Sequence, residues 1–539
     1  LTGWVRLKAQ GKPGQKLTIR FNEKLKNDGL LDTEYSASHT YGRFQKGELI
    51  LSGDGEALFE PRFTYHGFRY VQIEGLSGKP EPGCISACSV HTDLPAAGGF
   101  SCSNEKLNQL HQAARRTLLD CIHGMPGEEP TREKMGWNQD AQNTAEAYMY
   151  NFDSATAYIK YIRDIIDSQE SGGHIPPIIP TNGWGLLKPD GNPIRYDDPW
   201  WGASLAVIVN RVYEYYSDIN IIKESYPSMK KYVDFLSGTA RNFILEWSLG
   251  DWLDLTFNEE GPGLTPVALT STAGYYHVSR LLSDNARLLG EIKDAEYYGG
   301  LAENIRDAFN RNFLDSEAGV YREGSQTAQA LPLFLGMVPE DCREKVLSRL
   351  LMEIEKSEDH ITTGFIGAMP LISFLSEAGL VDLAYRMVTQ ESGTGWMYMV
   401  KGENSTLGEN LNPEGYGTGH HPFAACISAW FYKYLAGIRT DVSSPGFKKI
   451  VIKPEIPEGL EWVRGEYDTI HGRIACQWEK RGDVLRMRVE IPANTSALVY
   501  VPGKSADTVE AWRDSEQCRE PVKYLRQESD RMVFSAGSG

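Results

Sequence analysis

The chain has 539 residues, 41% hydrophobic and 24% charged, with 72 acidic against 55 basic side chains and a net charge of −17. That length exceeds one hydrophobic core, so roughly two to four domains are expected. An acidic surface repels phosphate backbones and anionic lipid, which argues against nucleic acid as a partner, and no apolar run is long enough to span a bilayer.

The first residues already alternate. Val5, Leu7 and Ala9 point one way, Gly11-Lys12-Pro13-Gly14 turns the chain, and Leu17, Ile19 and Phe21 resume on a second strand. This predicts a hairpin. Because the pattern starts at Leu1, the unit is expected to be truncated at its start, and a signal peptide is neither claimed nor excluded. Further apolar runs at 48–51 and 70–73 extend the prediction to an antiparallel β-sandwich over residues 1–96. Near Ser103 the period changes. Leu107, Leu110, Ala114, Thr117, Leu118 and Cys121 recur at helical spacing, with Ser103 as the predicted N-cap. Helical stretches repeat to about residue 437, for example Leu205-Ile208-Val212-Tyr215 and Leu301-Ile305-Phe309. Gly-, Pro-, Trp- and Asp-rich loops interrupt them. Many helices with rich loops on one side predict an all-α toroid over residues 97–438, with function gathered in the loops. Alternation returns at Ile450 and Ile452, then at Leu485, Met487, Val489 and Ile491, and predicts a second antiparallel β-sandwich over residues 439–539.

Eight cysteines, Cys84, Cys88, Cys102, Cys121, Cys342, Cys426, Cys476 and Cys518, are scattered through the chain. They read as free thiols rather than a disulfide framework. The compartment is open between cytoplasm and periplasm, with the thiols favouring the cytoplasm. Cys84 and Cys88 lack a second close pair to complete a zinc site. No cofactor or metal is demanded.

Residues 128–141 (Glu128-Glu129-Pro130-Thr131-Arg132-Glu133-Lys134-Met135-Gly136-Trp137-Asn138-Gln139-Asp140-Ala141) hold four carboxylates, an Arg and a Trp without helical or strand period. Enzymatic cleavage of a glycosidic bond usually uses two carboxyl groups: one protonates the leaving oxygen, the other activates water or attacks carbon. Glu133 suits the acid role. Glu128, Glu129 and Asp140 would raise its pKa by like-charge repulsion, Trp137 would help exclude water, and Arg132 and Lys134 oppose the shift. The competing reading is a solvated loop whose charges do nothing. A second polar loop, 396–410, precedes His420-His421-Pro422. Within and just after it, Glu403, Glu409 and Glu414 compete for the partner role, and composition does not choose among them. Adjacent histidines cannot easily share one ion, so hydrogen bonding or a structural role is favoured over a metal site. Loop tryptophans such as Trp184 in Asn182-Gly183-Trp184-Gly185 and Trp252 in Gly250-Asp251-Trp252-Leu253 suit stacking on a pyranose. Trp430, in an apolar helix, reads as core. Gly-x-Ser-x-Gly, the phosphate-binding loop and His-Glu-x-x-His are absent.

On these residues the chain resembles bacterial α-L-rhamnosidases of glycoside hydrolase family 78. Residues 129–141 are similar to the family motif Cys-Pro-x-Arg-Glu-Lys-x-Gly-Trp-x-Gly-Asp-Ala. Phe63-Thr64-Tyr65-His66-Gly67-Phe68-Arg69-Tyr70 resembles the preceding sandwich. Gly250-Asp251-Trp252-Leu253 and Thr363-Gly364-Phe365 resemble barrel motifs, and Pro445-Gly446-Phe447 the start of the C-terminal sandwich. The resemblance implies an (α/α)6 barrel flanked by the two sandwiches, and an inverting mechanism. Glu133 would be the general acid. Residues 404–411 align with Ala-Thr-Thr-x-Trp-Glu-x-Trp, which makes Glu409 the general base. Glu128, Arg132, Trp137, Asp140 and His421 would bind the sugar, with Trp184, Asp251, Trp252 and Trp396 as further substrate contacts. The chain departs from the family at Glu128-Glu129, where Asp-Cys is usual, at Gln139 for Gly, and at Gly408 and Leu411 for two Trp residues. A longer carboxylate at a sugar contact would shift or crowd the ring, and the losses near the base remove aromatic surface. The expected function is an inverting exo-glycosidase releasing terminal α-L-rhamnosyl residues from oligosaccharides or glycosides, its carbohydrate partner. Homodimerisation is open. The alternatives are a hydrolase or lyase of the same toroidal fold acting on another sugar such as a uronic acid, or a carbohydrate-binding relative without catalysis.

Overall fold

In the computed structural model, helices fill the middle of the chain and sheets lie at both ends. The structure describes residues 1–34, 36–37, 44–181, 198–254, 263–402, 404–414, 417–512 and 522–539.

Strands β1 (Thr2–Ala9) and β2 (Lys16–Asn22) each bury alternate residues. Val5, Leu7 and Ala9 share one apolar core with Leu17, Ile19 and Phe21. The two strands do not pair with each other. β1 bonds to Ala57–Phe59, His66–Gly67 and Ile85–Ser89, whereas β2 bonds to Lys46–Ile50 and Tyr70–Glu74. The predicted hairpin is therefore corrected to an arch between two sheets. Alternation specifies which face of a strand is buried, and here both faces bury against a common core instead of lying side by side.

The first helix, α1 (Glu105–Asp120), is capped by Asn104, not Ser103. The Asn104 side chain accepts the amides of Lys106 and Leu107. The Ser103 hydroxyl accepts the amide of Glu461, 2.8 Å away, and so ties the helix start to the C-terminal region. The apolar positions of α1 bury as their spacing predicts. Trp430 is fully buried and donates to Ser376 Oγ at 2.8 Å, as a core residue should.

The C-terminal region has a five-stranded and a four-stranded sheet. One pair in the first, Lys449–Ile452 with Ser496–Pro502, is parallel, which departs from the expected all-antiparallel arrangement. The edge strand of the second is Gly98–Cys102, paired with Trp462–Thr469. The chain thus contributes one strand to the C-terminal sheet before its first helix begins. These sheets share one apolar core with the helices, and Trp478 Nε1 crosses the seam to the Leu435 carbonyl at 2.8 Å. The described cysteines are free thiols, and Cys518 lies outside the described residues. Among the described residues, no helix is long and apolar enough to cross a membrane.

The cap assignment has a measurable consequence. Asn104→Ala should weaken the first turn of α1 by about 1 kcal/mol, a roughly five-fold gain in hydrogen exchange at Lys106 and Leu107. Ser103→Ala should leave those two amides unchanged; the opposite pattern would restore Ser103 as the cap.

Candidate active site

Residues 121–137 link α1 to the second helix, α2 (Asn138–Asn151), through turns. The link is fixed by backbone bonds: the Trp137 amide donates to Gly127 (3.3 Å) and that of Asn138 to Pro177 (3.0 Å). Asp140 falls in the first turn of α2, where the helix dipole favours negative charge. On the opposite loop, the Glu409 amide donates to the Thr418 carbonyl and the His421 amide to that of Leu407. This short ladder fixes both side chains. A Cβ on Gly408 would come 2.7 Å from the Thr418 carbonyl oxygen, so the close approach of the two segments explains a glycine where the family carries an aromatic ring.

The loops meet at Arg132. Its Nε donates to Glu129 Oε2 at 3.1 Å, and its Nη2 donates both to Glu133 Oε1 (3.3 Å) and to Glu409 Oε2 (2.9 Å). Trp137 Nε1 donates to the other oxygen of Glu133 at 3.1 Å. Arg132, Glu129 and Glu409 are buried, while Glu133 keeps a partly exposed edge. Asp140 is buried beside them. Its Oδ1 has no hydrogen-bond partner among the described residues and lies 3.6 Å from His421 Nδ1.

Too many carboxyl groups surround one guanidinium for all to ionise in a dry site. Burial pushes Glu409 up to about 7; Arg132 opposes this and Glu133 adds to it. Burial likewise raises Glu129 to about 8 against the pull of Arg132. It holds Asp140 well above the usual carboxylate range, helped by the charges of Glu409 and Glu133. Burial and the nearby Arg132 lower His421 to about 3, so its ring is neutral. The adjacent His420 behaves oppositely. Burial would lower it, but the charge of Glu23 and hydrogen bonds to Asp120 and Glu23 raise it to about 9. The two histidines thus face different partners, and among the described residues no group of three or more potential ligands is set to hold a metal.

The structure therefore brings Glu133, Glu409, Arg132, Trp137, Asp140 and His421 together. Glu128, Asp251 and Trp396 have their polar atoms engaged by other parts of the protein. Glu128 is fully buried, and its oxygens are taken by Tyr65 Oη (2.6 Å) and His123 Nδ1. Asp251 accepts from the Thr327 hydroxyl and from the amides of Gly364, Ile366 and Gly367, so its carboxylate organises a turn. Trp396 is fully buried, with its indole N–H donated to the Ala424 carbonyl at 2.8 Å. Trp252 is partly buried against the helical core. Trp184 and Glu403 lie outside the described residues, and Glu414 is exposed, bound by Tyr398 Oη. Sequence reasoning missed Glu23, whose position after a strand looks like any polar strand end.

Two carboxyl groups brought together from separate loops are what cleavage of a glycosidic bond uses. Comparison with known families narrows the class. Residues 95–435 match the bacterial α-L-rhamnosidase six-hairpin glycosidase domain, residues 1–91 the concanavalin-like domain of the same proteins, and residues 437–515 their C-terminal domain. The chain belongs to the bacterial α-L-rhamnosidase family. It is 31% identical to an α-L-rhamnosidase of Formosa agariphila over 100% of this chain and 58% of that protein. Two solved structures are similar with a TM-score of 0.89: the α-L-rhamnosidase of Dictyoglumus thermophilum, 32% identical over 100% of this chain and 60% of that one, and that of Streptomyces avermitilis complexed with L-rhamnose, 27% identical over 100% and 50%. The chain therefore spans about half to three-fifths of the length of these relatives.

Because Arg132 opposes the rise to about 7 that burial gives Glu409, Arg132→Gln should raise the Glu409 midpoint further. Carboxyl carbon NMR of glutamate-labelled protein reads this directly. A midpoint that fell would show that another group restrains Glu409.

Proposed function

We propose that the chain hydrolyses terminal α-L-rhamnosyl residues from oligosaccharides or glycosides by an inverting mechanism. The observation that carries the reading is the single Arg132 nitrogen holding Glu133 and Glu409 from loops far apart in sequence, in a chain of the rhamnosidase family. The family match favours rhamnose over a uronic acid. In this reading a six-hairpin (α/α)6 barrel spans residues 97–438 between β-sandwiches at 1–96 and 439–539. The carboxyl groups face its centre from loops at one end.

Glu133 protonates the leaving oxygen and Glu409 draws a proton from water on the opposite face of the ring. A midpoint near 7 suits a base that must accept a proton in the transition state and release it afterwards. Asp140 Oδ1, buried and without a hydrogen-bond partner among the described residues, and the neutral His421 suit the ring hydroxyls. Trp137 offers its face to the apolar side of the sugar. The two oxygens on the shared nitrogen lie 3.3 and 2.9 Å from it, so Arg132 sits between the two carboxyl groups, where an inverting pair, with its groups about 6.5–9.5 Å apart, admits a water.

Release of p-nitrophenol from its α-L-rhamnopyranoside tests the reaction. Glu409→Gln should lower kcat/KM by roughly 10³-fold or more on this and on alkyl rhamnosides alike. Glu133→Gln should lose far less on the nitrophenyl substrate, whose leaving group needs little protonation. Equal losses on both substrates would exchange or remove the acid assignment, and an inactive parent would favour a binding protein without catalysis. Proton NMR in the first minutes should show β-L-rhamnose as the initial product; the α anomer would mean retention. Because Glu409 must be ionised to act as base, kcat/KM should fall as pH drops below about 7.

A further inference from the structure

Glu23 stands just past the end of β2, in the N-terminal sheets, yet it reaches both catalytic loops. It is buried. Its Oε1 accepts from the Thr131 hydroxyl and from His420 Nδ1, and its Oε2 accepts the Gly419 amide at 2.8 Å. Thr131 directly precedes Arg132 and Glu133. Gly419 and His420 directly follow the Thr418 carbonyl that holds the Glu409 amide. One carboxylate thus spans the two loops behind the Glu133–Arg132–Glu409 bridge.

The span is reinforced from the same sheets. The Gly67 amide donates to the Pro130 carbonyl at 3.1 Å. A Cβ on Gly67 would stand 2.8 Å from the Thr131 nitrogen, so the strand lies backbone against backbone on the acid loop. On the far side, His420 Nε2 lies 3.5 Å from Asp120 at the end of α1, which fixes the imidazolium that Glu23 faces.

We propose that Glu23 is a positioning residue for the reaction: through Thr131 on one side and Gly419–His420 on the other, it sets the separation of Glu133 and Glu409. This rests on the proposed roles of those two residues. The consequence is that the N-terminal sheets are part of the catalytic apparatus rather than an appended module. A shift of about 1 Å between reacting groups lowers turnover by roughly a hundred-fold while leaving the ground-state contacts to the sugar largely in place.

The test compares the parent with Glu23→Ala, Glu23→Gln and Thr131→Val. Glu23→Gln keeps one acceptor oxygen, enough for Thr131 and His420, but sets an NH2 donor against the Gly419 amide; Glu23→Ala keeps no acceptor; Thr131→Val removes only the acid-loop arm at nearly constant volume. On p-nitrophenyl α-L-rhamnopyranoside, Glu23→Ala should lose about a hundred-fold in kcat with KM within three-fold, while Glu23→Gln, which keeps one acceptor, and Thr131→Val, which removes one arm, should each lose less. Hydrogen exchange is read on the same proteins. Glu23→Ala should speed exchange in both 128–137 and 404–421, with helix α1 unchanged. A parent without rhamnosidase activity would overturn the proposed function, and exchange in the two loops would still decide whether Glu23 couples them. An active parent whose Glu23→Ala variant keeps its kcat, or whose loops exchange as in the parent, would overturn the positioning role alone. If Glu23→Ala does not fold, Thr131→Val and Glu23→Gln carry the same comparison.

Discussion

Arg132 is the constraint on which the site depends. Its guanidinium offers rigid, directed donors to carboxylates from two loops that share no sequence neighbourhood. Without it, Glu129, Glu133 and Glu409 would face one another in a dry cavity, and breaking such a buried cluster by removing one partner typically costs about 3–5 kcal/mol. With it, one positive charge is shared among several acids, and it cannot satisfy them all as anions. The protons left over stay on Glu129, Asp140 and, near neutrality, Glu409.

The surrounding structure is arranged to hold that arginine and its partners still. α2 starts immediately after the acid loop and contributes Asp140 from its first turn. α1 ends at Asp120, beside His420. The N-terminal sheets close the back through Glu23, Gly67 and Tyr65. The carboxyl groups around Arg132 therefore lie on loops, but each loop is pinned at several points to a helix or a strand. This is how irregular backbone can keep the sub-ångström order that acid–base chemistry requires.

Much of this was legible in the sequence, and what was not follows from what one-dimensional pattern omits. A run of charges with no period marked the acid loop, and helical spacing located α1 to within two residues. Alternation in β1 and β2 correctly named the buried side chains but not the bonding partners, because a period of two encodes a face and not an edge. Residue type also says little about burial. Trp396 and Asp251 read as loop polar groups in the sequence, whereas the Ala424 carbonyl and three backbone amides engage them in the fold. Glu23 carried no signal because its partners, Thr131, Gly419 and His420, are all distant in sequence.

The departures from the family motif now have a physical reading. Glu128 replaces a shorter Asp, and the extra methylene lets the carboxylate reach Tyr65 and His123, which stack at 4.1 Å. Lys134 Nζ lies over the same Tyr65 ring at 4.7 Å. The longer acid is thus absorbed into a wall built with the N-terminal sheets instead of projecting at the sugar. Gly408 follows from the close approach of Thr418, and Leu411 is buried, with its carbonyl accepting the Gly395 amide. Glu129 is the departure that reaches the charged centre: its Oε2 accepts from Arg132 Nε at 3.1 Å, which adds a carboxyl group to the arginine's partners where the family carries a cysteine. Glu128, Gly408 and Leu411 alter the walls and leave the Arg132 bonds to Glu133 and Glu409 in place, so on the proposed reading those three bear on which rhamnoside fits, and Glu129 on how the charge of Arg132 is shared.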